Sequence, residues 1–306
     1  MDNTYQLIII GGGPAGLSAG LYAARARLST LLIERAIPGG QIINAELVEN
    51  YPGFPQGISG AELGSLLEQQ AKKYGVEIIM AEVESIEVGG EEKIVNSSEG
   101  RYSTKALIIA GGSEYSKLGV SGEEALRGRG VSYCATCDGA FFNNQVIAVV
   151  GGGNVAINDA LFLTRFASKV IVIHRRDQLR ATKILQERAF AQPKIEFIWD
   201  TVVESIGGDN QVGELGLRNV KTGVESKLEV TGVFVAVGLR PNTGYLEGAL
   251  ALSPEGFILV NDQMETEVPG VFAAGDIRAG SARQVSCAVG DGATAAISAE
   301  RYLSSV

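Results

Sequence analysis

Two thiols with redox spacing stand near the middle of the chain, Cys134 and Cys137, in the stretch Cys-Ala-Thr-Cys-Asp-Gly. Cysteines separated by two residues can close a strained, easily reduced disulfide and pass on a pair of electrons. The same spacing is also half of a structural zinc site. The chain has three cysteines and one histidine, and neither Cys287 nor His174 belongs to a second ligand pair. The ligand count therefore favours a redox dithiol, and no metal site is expected.

The composition argues against several classes of protein. The chain has 306 residues, enough for roughly two domains of ordinary size. Its 26 basic and 35 acidic side chains give a net charge of −9, which argues against nucleic acid as a partner. No apolar stretch approaches the length of a membrane span, and no basic leader precedes the first strand-like segment. We therefore expect no membrane partner. The small number of cysteines is typical of a reducing compartment, so we expect a cytoplasmic protein.

A glycine-rich turn near the start of the chain has the composition of a dinucleotide site. Gly11, Gly13 and Gly16 form G-x-G-x-x-G between a predicted strand at 5–10 and a helix of small residues. Such glycines allow a tight turn, bring backbone N–H groups close to a pyrophosphate, and let the helix pack on the strand. The next predicted strand ends in Glu34, whose carboxylate can bind both ribose hydroxyls of an adenosine. The alternative is a plain turn with a surface glutamate.

The second half of the chain repeats this pattern with a different ending. Gly151-Gly152-Gly153-Asn154-Val155-Ala156 follows a predicted strand at 146–150, and its final alanine is a tolerated variant of the third glycine. The next strand ends in His174 instead of a glutamate, and basic residues follow it, namely Arg175, Arg176 and Arg180. A carboxylate there would repel a 2′-phosphate, whereas guanidinium groups match its oxygens. The first turn therefore suits FAD and the second suits NADPH, unless the basic residues are only a solvated helix start.

The segments around the two turns also suggest ligand contacts. Apolar strands ending in glycine are predicted at 107–112 and 233–238, one after each turn. Near the end of the chain, a strand leads into Gly275 and Asp276, where a carboxylate could bind hydroxyls of FAD or cap a helix. The last helix, predicted from Gln284, would direct its positive N-terminus at the flavin.

The region between the first turn and its return strand is predicted to combine a loop, a helix and a small insertion. The loop is irregular and glycine-rich, as ligand-binding segments often are. A capping box of Ser59 and Glu62 predicts a helix over 59–74. Short alternating runs over 76–106 predict an antiparallel insertion.

Four motifs together resemble the low-molecular-weight thioredoxin reductases over essentially the full length of the chain. They are Gly11 to Gly16; Arg127 to Gly139; Gly151 to Asn154 with His174 to Arg180; and Gly275-Asp276 with Arg283-Gln284-Val285. The resemblance implies an α/β fold of two Rossmann-like dinucleotide-binding domains. The NADPH-binding domain, 114–246, would carry the dithiol and be inserted into an FAD-binding domain of 1–113 and 247–306.

The same resemblance implies a function and roles for residues. Electrons would pass from NADPH to FAD, then to the disulfide, then to oxidised thioredoxin. Cys137 would face the flavin, Cys134 would attack the partner disulfide, and Asp138 would be the acid, although an aspartate there is also a good helix cap. A homodimer is implied, with thioredoxin docking on Arg129, Phe141 and Phe142.

The residues expected to bind the two cofactors come from both halves of the chain. They are Gly11, Gly13, Pro14, Ala15, Gly16, Glu34, Arg35, Gly39, Gly40, Gln41, Asn50, Val83, Ala110, Gly111, Gly151, Gly153, Asn154, Val155, Ala156, His174, Arg175, Arg176, Arg180, Gly238, Gly275, Asp276, Arg283, Gln284 and Val285.

A few positions depart from the family pattern. Gly111 stands where the family often has threonine, and Asn158-Asp159 replaces a usual pair of glutamates. Neither change removes a group that carries electrons. Cys287 is expected to be a small core residue of the last helix. Two alternatives stay open: a dithiol oxidase, which would not need the arginines, and a flavin redox sensor, which would need neither a second nucleotide site nor an acid.

Overall fold

The structure is a computed structural model that describes residues 3–45, 47–246 and 248–306. The chain forms two compact units, one of Met1–Glu114 with Arg240–Val306 and the other of Tyr115–Leu239. The second boundary lies before the predicted position 246/247. The physical reason is Leu246, which is fully buried in an apolar cluster of the first unit.

Strands and helices alternate around the two glycine turns, and runs of strands follow in each half of the chain. The strands are β1 Thr4–Ile10, β2 Thr30–Glu34, β3 Glu77–Met80, β4 Val83–Glu87, β5 Lys93–Ser97, β6 Gly100–Ile109, β7 Ser113–Tyr115, β8 Val131–Ser132, β9 Val146–Val150, β10 Lys169–Ile173, β11 Ile195–Ile198, β12 Thr201–Gly207, β13 Glu214–Asn219, β14 Glu225–Glu229, β15 Gly232–Val235, β16 Leu239–Pro241 and β17 Val271–Ala273. The α-helices are α1 Pro14–Arg25, α2 Gly60–Lys73, α3 Ala135–Asp138, α4 Asn154–Leu163, α5 Lys183–Ala191 and α6 Val285–Leu303.

The first unit is built on parallel strands in the order β3-β2-β1-β6. The second half of β6 also pairs in parallel with β17, and its first half pairs antiparallel with β5. The central strands read as continuous apolar runs because both faces of a parallel sheet are covered. Leu7, Ile8 and Ile9 of β1 are fully buried.

Two helices of small residues cover one face of this sheet. A side chain on Gly292 of α6 would overlap the carbonyl group of Ala15 in α1, so the two backbones lie in close contact. The predicted serine cap is confirmed, since the Ser59 hydroxyl accepts a hydrogen bond from the Glu62 N–H at 3.2 Å and α2 begins at the next residue. The predicted insertion is correct for β4 to β6, which form an antiparallel meander. It is wrong for β3, which pairs parallel to β2 and extends the central sheet.

The second unit repeats the parallel core. Its sheet has the order β11-β10-β9-β15-β8, and every pair in it is parallel. A separate antiparallel sheet is formed by β12, β13 and β14. Helices α4 and α5 pack on the parallel sheet over an apolar cluster that includes Ile157, Leu163 and Phe234. The sheet edge that begins with β8 leads directly into the dithiol.

Of the helices within the described ranges, none combines the length and the apolar character needed to cross a bilayer.

Candidate active site and nucleotide turns

Cys134 and Cys137 form a disulfide, with 5.3 Å between their Cα atoms. Cys134 directly precedes α3, and its carbonyl oxygen accepts the N–H groups of Cys137 at 3.2 Å and Asp138 at 3.1 Å. This short turn holds the two sulfur atoms together, as the spacing predicted. Cys134 is half-buried and Cys137 is exposed.

Asp138 is half-buried beside the disulfide. Burial raises the pKa of its carboxyl group, and a hydrogen bond from the Ser132 hydroxyl, 2.6 Å from Oδ2, partly offsets that rise. The alternative role as a helix cap is not observed, because Asp138 ends α3 and its side chain makes no capping bond to the 3₁₀ turn that follows. A carboxyl group with a raised pKa is suited to donate a proton near neutral pH.

A buried carboxylate that the sequence analysis missed anchors the approach to Cys134. Glu123 is 3% exposed and accepts N–H groups from Leu118 at 2.8 Å and Gly119 at 2.7 Å. It also accepts the hydroxyl of Tyr133 at 2.8 Å, and this bond, with burial, raises the pKa of that phenol. The residue before Cys134 is therefore tied to the preceding loop. A buried carboxylate with three hydrogen-bond donors has no signature in the sequence. Two adjacent glutamates, such as Glu123 and Glu124, are typical of an exposed surface segment.

The first glycine turn is closely packed at Gly11 and Gly16. The Gly11 N–H donates to the Ile33 carbonyl at 2.8 Å, and a side chain at Gly16 would overlap the Gly11 carbonyl oxygen. Helix α1 begins after Gly13, where no side chain caps its N–H groups and no acid lies in the first turn. The free N–H groups and the helix dipole favour an anion at this end.

Glu34 and two further glycines close around the first turn. The Glu34 carboxylate accepts the N–H of Gly12 at 2.5 Å and that of Ala36 at 3.0 Å. The Gly39 N–H donates to the Gly12 carbonyl at 2.8 Å, and a side chain on Gly40 would lie 2.9 Å from the Gly13 Cα. Glu34 therefore ends β2 with its carboxylate bonded to the turn, and its contact with a ribose stays a prediction.

Asp276 and the start of α6 form a second group in the first unit. Burial raises the pKa of Asp276, whose Oδ1 accepts the Ser281 hydroxyl at 2.7 Å. Arg283 has a left-handed backbone with φ 56°, and its buried Nε has no hydrogen-bond partner among the described residues. The Asn50 amide donates to Gln284 Oε1 at 3.2 Å, which joins two predicted cofactor residues far apart in sequence.

The remaining predicted FAD residues fall into two groups. Pro14 and Ala15 begin α1, Val285 begins α6, and the backbone of Ala110 bonds that of Ile10 at 2.7 Å. Gly275 lies against α1, since a side chain there would lie 2.9 Å from the Ala15 Cβ.

Two further residues are exposed: Gln41 in a 3₁₀ turn and Arg35, which pairs with Glu114. Val83 begins β4 and is half-buried against an apolar cluster of the first unit. Gly111 lies against the Tyr245 hydroxyl, which is buried without a hydrogen-bond partner in the described structure.

The second glycine turn is held by the segment that carries the last arginine. The carbonyl of Gly152 accepts the N–H groups of Arg180 at 2.7 Å and Ala181 at 3.1 Å. The Asn154 side chain accepts the Thr182 N–H at 2.8 Å. Helix α4 begins after Gly153 with neither a capping side chain nor an acid in its first turn. Ala156 is fully buried, Val155 is exposed, and Gly238 has a left-handed backbone with φ 139°.

His174 differs from the three arginines with which it was grouped. Its side chain is buried, at 4% exposed, and its ring lies against the Gly152 Cα, where an added Cβ would overlap it. Burial lowers the pKa of this imidazole, as do the neighbouring arginines. Arg175, Arg176 and Arg180 are exposed, and none forms an ion pair with a carboxylate of the described residues. The exposed positive charge at this strand end comes from the arginines.

Comparison with known proteins gives one family. The family described as pyridine nucleotide-disulphide oxidoreductase matches residues 5–292. The chain belongs to this family.

Its relatives place it more closely among the oxidoreductases. It is 49% identical to a thioredoxin reductase of Bacillus subtilis strain 168 over 303 residues, covering 99% of this chain and 96% of the relative. A thioredoxin reductase of Streptomyces coelicolor is 48% identical over 309 residues, which cover 100% of this chain and 96% of the relative. The resemblance to thioredoxin reductases is therefore confirmed, and the protein is an enzyme, an oxidoreductase.

Solved structures agree on the fold. The crystal structure of thioredoxin reductase from Streptococcus pyogenes MGAS5005 is 48% identical, covers 100% of both chains, and has a TM-score of 0.95. The Lactococcus lactis thioredoxin reductase is 44% identical over 99% of this chain and 100% of its own, with a TM-score of 0.67. The predicted α/β fold with Rossmann-like parallel sheets is confirmed.

In this oxidoreductase the predicted docking residues do not share one environment. Phe141 is 53% exposed, and Arg129 is exposed. Phe142 is buried, because its ring fills the space over Gly232 and packs edge-on against Phe234 with centroids 5.3 Å apart. It cannot contact a partner from this position, so the expectation for Phe142 is wrong.

The expectation for Cys287 is also wrong. This cysteine is free and exposed in the first turn of α6, not buried in the core. The buried residues of α6 begin at Ala288 and continue with Asp291, whose carboxylate pairs with Arg278 at 2.6 Å. Because α6 is rich in small residues around its whole circumference, sequence periodicity does not identify its buried face.

Proposed function

We propose that the enzyme is an NADPH-dependent thioredoxin reductase that uses Cys134 and Cys137 as its redox dithiol. The observation that carries this proposal is the Cys134–Cys137 disulfide beside Asp138, whose pKa is raised by burial. A disulfide in a short turn suits thiol–disulfide exchange, and a neighbouring acid can protonate the departing thiolate. The thioredoxin reductases that this chain resembles support the choice of thioredoxin as substrate.

The residues of the first unit fit FAD. The uncapped start of α1 offers backbone N–H groups to a pyrophosphate. Glu34 would hold the adenosine ribose with its carboxylate, and Asp276, close to the start of α6, would offer a second acceptor. Gly13 carries no side chain, so a ligand can approach its backbone closely. When bound, FAD would take two electrons as hydride from NADPH and supply them to the disulfide.

The residues of the second unit fit NADPH. The start of α4 is uncapped like that of α1. Arg175 and Arg176 are exposed and follow the strand that ends beside the turn, while Arg180 is tied to Gly152 through its backbone. Their guanidinium groups would bind a 2′-phosphate and so favour NADPH over NADH.

In the proposed exchange, the Cys134 thiolate attacks one sulfur of the thioredoxin disulfide and forms a mixed disulfide. The other thioredoxin sulfur leaves as a thiolate and receives a proton from Asp138. The Cys137 thiolate then attacks the Cys134 sulfur, closes the enzyme disulfide and releases the second thioredoxin thiolate. The enzyme dithiol is oxidised by two electrons, and the thioredoxin disulfide is reduced by two. The protons of the enzyme thiols end on the thioredoxin thiols, one of them by way of Asp138.

The direct test is a spectroscopic titration without oxygen. Adding NADPH should bleach the flavin spectrum of the purified holoenzyme, and oxidised thioredoxin should restore it. Bleaching without recovery would overturn thioredoxin as substrate, and no bleaching would overturn NADPH as donor.

Variants of the dithiol test its role. Cys137→Ser should still be bleached by NADPH, but should not reduce thioredoxin and should capture it as a mixed disulfide on Cys134. Cys287→Ser is the matched control, because this exposed cysteine lies outside the disulfide. It should reduce thioredoxin at the normal rate. Turnover by Cys137→Ser would disprove the proposed electron path.

A cytoplasmic location and a homodimer remain predictions from the cysteine content and from the family resemblance.

A further inference from the structure

Ser132 lies beside Asp138, the proposed acid. Its hydroxyl oxygen is 2.6 Å from Asp138 Oδ2, 3.1 Å from the Cys134 nitrogen and 3.4 Å from the Cys134 carbonyl oxygen. One side chain therefore contacts both the acid and the backbone of the first redox cysteine. Ser132 is 4% exposed.

The position of Ser132 is fixed by the sheet. It is the last residue of β8, and the parallel pairing with β15 aligns Ser132 with Phe234. The neighbouring Val131 is 1% exposed in an apolar cluster of the same unit. A hydroxyl on a buried strand moves less than one on a loop, so Ser132 can serve as a fixed reference for the turn that follows.

The three contacts allow the hydroxyl to serve both protonation states of Asp138. When Asp138 is charged, the serine O–H donates to Oδ2, a charge-assisted bond. When Asp138 is protonated, its own O–H can donate to the serine oxygen, and the serine O–H can turn to the Cys134 carbonyl oxygen. The Cys134 N–H donates to the serine oxygen in either case. No partner has to move more than a hydrogen atom.

Within the described residues, no charged group accounts for the shifted pKa of Asp138. Burial and the bond to Ser132 are the two influences that shift the pKa of Asp138. The segment from Ser132 to Asp138 carries Tyr133, Cys134 and Cys137 as further titratable groups, and β15 and the 3₁₀ turn after α3 carry none. Helix α4, which packs on α3, carries one, Asp159.

We propose that Ser132 is the positioning residue of the acid: its hydroxyl holds Asp138 in place beside Cys134 in both protonation states of the exchange. The proposal rests on the proposed function, in which Asp138 delivers a proton during thiol–disulfide exchange. A purely structural role is the alternative, because a serine that accepts the N–H two residues ahead also stabilises a turn. The two roles differ in what they do to the acidity of Asp138.

The sign of the effect follows from which state the serine stabilises more. Its hydroxyl donates to the charged carboxylate, so its removal leaves burial as the dominant influence and the pKa of Asp138 rises. An acid must be protonated to act, so the rate falls as pH rises through that pKa. In Ser132→Ala this high-pH limb should move upward by about one pH unit. A role in turn stability alone would lower the rate at every pH and leave the limb in place.

The experiment measures single-turnover reduction of oxidised thioredoxin by the pre-reduced holoenzyme across pH. Ser132→Thr keeps a hydroxyl and should keep the limb of the wild type. Ser298→Ala is the matched control, since this serine is 5% exposed and its hydroxyl donates to a single backbone carbonyl at 2.8 Å. Ser298→Ala should leave the high-pH limb at the pH of the wild type. When Ser132→Ala is combined with Asp138→Asn, the pH profile should be the same as that of Asp138→Asn alone.

A second measurement does not depend on turnover. Infrared difference spectra of wild type and Asp138→Asn isolate the carboxylic acid band of Asp138, and its titration should move upward in Ser132→Ala. An unchanged or lowered titration would overturn the inference. If Ser132→Ala does not fold, Ser132→Gly also lacks the hydroxyl and carries the same expectation. Failure of the wild type to reduce thioredoxin would reject the proposed function, while the infrared titration would still test the bond.

Discussion

The two glycine turns share a backbone plan and differ in what stands at the end of the following strand. In each, the first glycine donates its N–H to the carbonyl of the isoleucine just before the strand-end residues Glu34 and His174, Ile33 at 2.8 Å and Ile173 at 3.1 Å. In each, the helix begins after a glycine in an extended conformation without a capping side chain. The unsatisfied N–H groups of both helix starts therefore give each turn the same attraction for a phosphate.

The strand ends use their side chains in opposite ways. Glu34 is itself the polar group, with its carboxylate bonded to the turn. His174 is buried against Gly152, and the exposed charge passes to the arginines that follow it. The comparison teaches that equivalent sequence positions need not be equivalent contacts. In the first turn the strand-end residue bonds the backbone of the turn with its carboxylate, whereas in the second the strand-end ring packs against the glycine turn and the exposed arginines follow it.

The largest expected effect breaks the shared plan at the third glycine. A side chain on Gly16 would overlap the Gly11 carbonyl oxygen, whereas the second turn accepts Ala156 at the same place. The first glycines differ in backbone, with φ 102° at Gly11 and 150° at Gly151. Gly16→Ala should therefore lower the free energy of unfolding by about 3 kcal/mol or more and impair FAD retention, because backbone cannot relax as a side chain can.

The matched control for this prediction is the reverse change in the second turn. Ala156→Gly should cost only about 1 kcal/mol, the usual penalty of glycine in a helix. Denaturant unfolding and the flavin content of the purified protein are the measurements. Equal losses for the two variants would mean that the turns are not distinguished by this contact.

The second effect tests the division of labour at the second strand end. Replacing Arg175 and Arg176 together by alanine should raise the KM for NADPH by about 100-fold or more, since each charge-assisted bond contributes about 1.5 to 3 kcal/mol. The KM for NADH should change little because it has no 2′-phosphate. Arg188→Ala, an exposed arginine of α5 in the same unit, is the control and should leave both values alone. Equal losses for both nucleotides would contradict the assignment of the arginines to the phosphate.

Much of the fold could be predicted because its signals are local. Apolar runs such as Leu7 to Ile10 identify buried parallel strands, and glycine spacing identifies the turns between strand and helix. The capping box at Ser59 gave the start of α2 correctly. The Cys134–Cys137 pair is equally local, since a turn of this length fixes the distance between the sulfur atoms.

Burial of individual side chains could not be predicted in the same way. Phe142 is buried by Phe234 and by the space over Gly232, both distant in sequence. His174 is covered for a similar reason, because its strand end meets the glycine turn. The bond from Ser132 to Asp138 depends on a strand of two residues that has no periodicity to detect. Such contacts arise from tertiary packing, and a single sequence does not encode them in any short pattern.

The smallest effect concerns the pKa of His174. It distinguishes a buried imidazole that supports the glycine turn from a solvated imidazole that is free to meet a phosphate. His174 is the one histidine of the chain, so its imidazole gives a single resolved signal in an NMR titration. Burial lowers the pKa of this imidazole in the folded protein below the ordinary value near 6.5. The unfolded chain therefore binds a proton at a pH where the folded chain does not, and folding stability falls as pH drops below about 6.5. The loss ends once the pH has passed the lowered pKa of the folded state.

His174→Gln is the variant that isolates this contribution, because the carboxylates that titrate in acid are the same in both proteins. Between pH 7 and pH 5 the wild type should lose more stability than the variant, measured by denaturant unfolding without nucleotide. In the NMR titration, the imidazole should protonate below its ordinary pKa in the nucleotide-free protein. A pKa at or above the ordinary value would mean that the ring is solvated and free to meet a phosphate itself. The two strand ends would then both present their own side chain to the ribose, and the contrast between them would reduce to charge alone.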